Sequence, residues 1–101
     1  MLRGMIEGPR TAPARELLLA NHAFPGVYTV KAFGPSTDEF RAGIEAAATA
    51  VIGPDRAQVS ERTSTKGRRV CITLDLNVDT VDEVLDVYAR IYGVVDLKLV
   101  L

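Results

Sequence analysis

A chain of 101 residues with 48% hydrophobic and 25% charged side chains has the length of one domain and a globular composition, which excludes disordered, fibrous and membrane-spanning classes. Twelve Lys and Arg against thirteen Asp and Glu leave a formal charge of −1, so no global field draws nucleic acid or an anionic membrane, and such binding needs a local patch. Cys71 is the only cysteine, which excludes an internal disulfide or a multi-cysteine metal site within one chain and points to a reducing cytoplasm.

Residues 1–15 mix Gly, Pro and Arg without helical or alternating periodicity and read as a flexible N-terminal extension, with Met5 as an alternative start. Residues 14–20 suit one or two helical turns. The apolar run inside them, residues 17–20, is far too short for a signal-peptide core or a spanning helix. Asn21-His22-Ala23-Phe24-Pro25-Gly26 then breaks any regular element. Residues 27–33 are rich in β-formers and stop at Gly34-Pro35, giving a first strand with Tyr28, Val30 and Ala32 on one face. Ser36-x-x-Glu39 reads as a capping box opening a helix to about Ile52, with Phe40, Ile44, Ala47, Ala48 and Val51 as its apolar stripe and Gly53-Pro54 as its stop.

Residues 57–63 are polar enough for an edge strand. Ser64-Thr65-Lys66-Gly67 supplies the turn, Gly67 being free to take positive φ. Residues 68–77 alternate Val70, Ile72, Leu74 and Leu76 with Cys71, Thr73, Asp75 and Asn77, so one face packs and the other looks outward. Thr80-x-x-Glu83 is a second capping box, with Val81, Val84, Leu85, Tyr88 and Ile91 inward and a helix end near Gly93. Residues 94–101 predict the last strand, Val95, Leu97, Leu99 and Leu101 alternating with Asp96 and Lys98.

The order β-α-β-β-α-β, with right-handed crossovers and both helices on one face, predicts an α+β ferredoxin-like sandwich over residues 16–101, a four-stranded antiparallel sheet in the order 4-1-3-2. From about Leu18 to Leu101 the chain resembles the YbeD-like family of small bacterial proteins of unknown function. The marks are Tyr28-x-x-Lys31-x-x-Gly34, Ser64-Thr65-Lys66-Gly67, Val70-x-Ile72-Thr73 and the terminal Val100-Leu101. The resemblance implies a fold like that of the ACT regulatory domain, and neither an activity nor a cofactor. The chain departs from the family in its long N-terminal extension and in a hairpin about two residues shorter, with Arg68-Arg69 where the family usually places an aromatic.

Catalysis needs groups that converge. His22 is the only histidine and sits in a connector, so no histidine pair holds a metal within one chain. Cys71 has no basic neighbour on its own strand face and reads as a packing residue. The signatures of other ferredoxin-like proteins are missing. The first loop carries no Cys-x-x-Cys, Arg41 is too deep in the helix for a phosphate-cradling loop, and the places where an RNA-recognition motif would stack bases hold Thr29, Lys31, Cys71 and Thr73. No enzyme activity, cofactor or metal is therefore expected.

Charge patterning remains. Between residues 56 and 69, Arg56, Arg62, Lys66, Arg68 and Arg69 face a single acid, Glu61, whereas Asp75, Asp79, Asp82, Glu83 and Asp86 follow with no cation between them. This predicts a dipolar molecule whose basic hairpin, Arg62, Lys66, Arg68 and Arg69, is either a solvated turn or a patch for an anion or acidic partner. Gly34, Pro35, Ser36 and Thr37, at a helix start, are either a simple cap or a ligand loop for an amino-acid carboxylate. The open face, with Thr29, Lys31, Phe33, Cys71, Thr73 and Val100, suits a dimer or partner contact. The leading expectation is a cytoplasmic, non-enzymatic regulatory or adaptor domain with an unidentified protein partner. An ACT-like amino-acid sensor, homodimeric as such domains often are, is the alternative. An enzyme ranks third and RNA binding by the hairpin fourth, and no membrane role is expected.

Overall fold

Burial alternates strictly along residues 69–78: Val70, Ile72, Leu74, Leu76 and Val78 are in the core, while Cys71, Thr73, Asp75 and Asn77 are not. A two-residue period of this kind holds only if one face of a strand is covered and the other bare. The computed structural model describes residues 12–64 and 66–101. Its elements are α1 (Arg15–Asn21), β1 (Gly26–Pro35), α2 (Asp38–Ile52), a 3-10 turn (Pro54–Arg56), β2 (Ala57–Thr63), β3 (Arg69–Val78), α3 (Val81–Ile91) and β4 (Leu99–Val100). The strands pair antiparallel in the order β2-β3-β1-β4, which is the expected order read from the other edge. Residues 1–11 of the expected extension lie outside the described residues. Of its last four residues, Ala12 packs against the core and Arg15 pairs with Asp82 of α3.

The core lies between the sheet and the helices. Tyr28, Val30 and Ala32 of β1 meet the five β3 residues there, along with Phe40, Ile44, Ala47, Ala48 and Ile52 of α2. α3 contributes Val81, Val84, Val87, Tyr88 and Ile91, and α1 contributes Leu18. Val51 and Leu85, expected inward, are only half-buried, and Ile52 and Val87 take the deeper places. Ile52 is one residue on from Val51 and Val87 lies three residues after the buried Val84, so both helices bury an arc wider than the strict stripe. Tyr28 and Tyr88 share a buried hydroxyl–hydroxyl hydrogen bond of 3.0 Å, which gives each phenol a partner. Burial first, then that bond, holds the Tyr88 phenol well above its ordinary range.

Two expectations are corrected. The N-cap of α2 is Thr37, whose hydroxyl accepts the Phe40 amide at 3.1 Å, and Ser36 with Glu39 does not form the capping box. The second box is formed in extended register: the Glu83 amide donates to Thr80 at 3.4 Å, and the Glu83 carboxylate accepts from Asp79 N at 2.7 Å. The last strand is also shorter than expected. Residues 92–97 form turns, with Asp96 at φ 71° and Val95 78% exposed. Val94 lies so close to α2 that a Cβ on Gly43 would sit 3.0 Å from its Cγ1.

Only residues 98–101 reach the edge of β1, where Lys98 N donates to Phe33 O at 2.8 Å. Val100 pairs with Ala32 and therefore faces the helices, and Leu101 exchanges both backbone hydrogen bonds with Lys31 at 2.8 and 3.1 Å. Val100, expected on the open face, is thus a core residue, and Leu99 and Leu101 take the open side.

Candidate functional site

The β2–β3 hairpin is closed by its own short-range bonds. Ser64 N donates to Arg69 O at 2.9 Å, Gly67 N to Ser64 O at 2.8 Å, and Arg69 N to Ser64 Oγ at 3.2 Å. Gly67 takes φ 73°, the left-handed conformation that a side chain disfavours. Thr65, part of the turn motif, lies outside the described residues. Lys66, Arg68 and Arg69 stand exposed at the tip, and Arg62 stands exposed on β2 just before it.

The same tip meets the loop 34–37. Pro35 pairs with Arg69 in register, and Ser36 N donates to Arg68 O at 3.1 Å. The two candidate sites of the sequence are therefore neighbours at one end of the sheet. Their chemistry differs. In the loop, Ser36 Oγ accepts from Arg41 at 2.7 Å, Thr37 Oγ1 accepts from Phe40 N, and Thr37 N donates to Pro35 O at 2.9 Å. Gly34 is buried against the Phe40 ring, where a Cβ would lie 2.4 Å from Cζ, so close approach explains its glycine. Asp38 and Glu39 follow in the first helical turn. A carboxylate arriving there meets two like charges and amides already in use.

Charge is redistributed by the fold. Arg41 of α2 holds Glu61 of β2 through Nε, 3.0 Å from each carboxylate oxygen, on the helix side of the sheet. Arg56 belongs with the acids rather than with the hairpin. Its guanidinium donates to Glu83 at 2.6 Å and to Asn77 O at 3.1 Å, with Asp79 at 3.3 Å. The Arg56 hydrogen bond is the main reason that the Glu83 carboxyl lies below its ordinary value. With Glu61 and Arg56 both engaged, Arg62, Lys66, Arg68 and Arg69 have no carboxylate within 4 Å among the described residues.

Beneath these cations lies a feature the sequence does not announce. Register places Phe33 of β1, Cys71 of β3 and Arg62 of β2 in one row across the open face. Together with Thr63, Ser64 and Arg69 they line a cavity of about 200 Å³ whose walls are mostly apolar. The Arg stems serve as walls while their heads reach solvent. Alternation shows that Phe33 and Cys71 share a face, but the strand register brings Arg62 beside them. The expectation that Cys71 has no basic neighbour on its face is corrected, since Arg62 and Arg69 both line its cavity.

The remaining candidates are dispersed. His22 packs edge-on against Tyr28 at a ring distance of 4.8 Å. Cys71 pairs with Phe33, five residues further along β1 and on the opposite face, about 17 Å of strand away. Among the described residues no group of three or more His, Cys, Asp or Glu is placed to hold a metal, and no helix is long and apolar enough to cross a membrane.

An antiparallel sheet in the order 2-3-1-4, with helices on one face and no element on the other among the described residues, defines an open-faced α+β sandwich compatible with the ferredoxin-like fold. Within that class, the family model described as "Protein of unknown function (DUF493)" matches residues 20–101. The chain belongs to this family, which is the YbeD-like family its motifs resemble. No curated protein matches it significantly.

Proposed function

We propose that this protein is a cytoplasmic, non-enzymatic adaptor or regulatory domain that holds an acidic protein partner at the hairpin end of its sheet. The observation that carries the reading is the set of four cations, Arg62, Lys66, Arg68 and Arg69, exposed together with no carboxylate within 4 Å among the described residues. Exposed charges of one sign accelerate encounter with an oppositely charged surface and exclude like-charged ones. The hairpin is pre-ordered by its own bonds and by Ser36, so little conformational freedom is lost on docking. The bare sheet face beside it supplies area for the contact.

The reading is tested by exchanging both arginines, Arg68→Glu with Arg69→Glu, and measuring recovery of partner from lysate at two ionic strengths. A loss of about tenfold or more, with the wild-type complex itself weakened by salt, is the expected result. Equal recovery by the double variant sinks the hairpin as the docking surface.

A further inference from the structure

Resting on that reading, we infer that the cavity formed by Phe33, Cys71, Arg62 and Arg69 takes a large apolar side chain of an acidic, extended peptide segment, whose flanking carboxylates meet the hairpin cations. Size comes first. At about 200 Å³ the cavity is smaller than the pockets of roughly 300–1,000 Å³ that enclose whole small-molecule ligands, and it accommodates a single side chain.

Chemistry comes second. The floor is Phe33 and the Cys71 thiol, which offer an apolar residue contact without a polar group to satisfy. The rim carries two guanidiniums, Arg62 and Arg69, each able to grip a carboxylate through paired N–H donors. Neither has a carboxylate of its own chain within 4 Å among the described residues, since Glu61, the acid beside Arg62 in sequence, is held by Arg41 on the other face.

Access comes third. The cavity opens on the open face next to β2, the edge strand of the sheet, so an extended segment reaches it from the side without displacing an element among the described residues. Lys66 and Arg68 at the tip lie further out and prolong the cationic track. An apolar anchor seated in a desolvated cavity and ringed by charge is the arrangement in which few residues carry most of an interface's affinity.

The single cysteine makes the test site-specific. The probe is a synthetic peptide with one phenylalanine flanked on each side by two aspartates, titrated against the full chain, with the rate of Cys71 alkylation followed in parallel. Binding that slows alkylation is expected, weakened about tenfold or more when the peptide's phenylalanine is replaced by alanine. Arg62→Glu, at an exposed position on the edge strand and with folding checked by circular dichroism, is expected to weaken it to a similar degree. Phe33→Ala with unchanged circular dichroism tests the floor separately and is expected to do the same.

Equal binding of the phenylalanine and alanine peptides overturns the inference and leaves a purely electrostatic hairpin. Tighter binding of an RNA oligonucleotide, or a concentration-dependent dimer that shields Cys71 without peptide, overturns it in favour of those occupants. If neither peptide binds while Arg68→Glu with Arg69→Glu still abolishes partner recovery, the cavity inference falls and the adaptor reading stands. If the double variant also recovers partner normally, both fall.

Discussion

Two neighbouring hydroxyls at the start of α2 do different work. Thr37 accepts the Phe40 amide, and Ser36 accepts the Arg41 guanidinium that also holds Glu61. Thr37→Ala is therefore expected to cost about 1 kcal/mol in chemical denaturation, and Ser36→Ala clearly less, because only the first removes a helix cap. Sequence alone could not separate them, since Ser36-x-x-Glu39 is a well-formed capping signal and the choice depends on where β1 releases the chain. The Tyr28–Tyr88 pair sets a second residue-scale expectation. Either Tyr→Phe change leaves one buried hydroxyl without its partner and is expected to cost about 1–3 kcal/mol. The double change is expected to cost less than the two singles combined, as read by a double-mutant cycle.

At the scale of elements, β3 and β4 show when an alternating pattern is sufficient. All ten residues of β3 pair with β1 and seven of them, Val70 to Leu76, pair with β2 as well, so its period was legible from Val70 to Leu76. β4 pairs on one side only and over two residues, so Val94 and Leu97 were free to fill helix-side space from turns instead of continuing the ladder. The parity of the C-terminus follows from Ala32 opposite Val100 and not from the run of leucines. Val100→Asp is accordingly expected to destabilise the domain by about 3 kcal/mol or more. Leu101→Asp, 63% exposed, is expected to change stability by no more than about 0.5 kcal/mol in thermal melts. The reverse ranking would restore the parity read from sequence.

Across the whole molecule, Arg56 ties the start of β2 to the end of β3 and the first turn of α3, drawing acids from one end into a clamp and leaving the hairpin cations at the other. Because the Glu83 carboxyl is held below its ordinary value of 4.5, its contribution to stability is in place above that value. It is lost as pH falls through the lower folded-state value. Denaturation midpoints measured from pH 6 down to pH 3 are expected to fall less steeply for Glu83→Gln than for the wild type. A slope unchanged by the substitution would remove Glu83 from the acid response.

The sequence by itself determined the element order, the core faces of β1 and β3, the polar edge strand and the presence of a basic hairpin. Those rest on local periodicity and turn chemistry, which act within a few residues of chain. Only the tertiary structure decided that Arg56 sits with Glu83, that Glu61 is held by Arg41, that Val100 is in the core, and that Phe33, Cys71 and Arg62 share a row. Ion pairing and strand register join residues far apart in sequence. A local pattern reports which face a side chain takes, whereas its neighbour there is chosen by long-range packing.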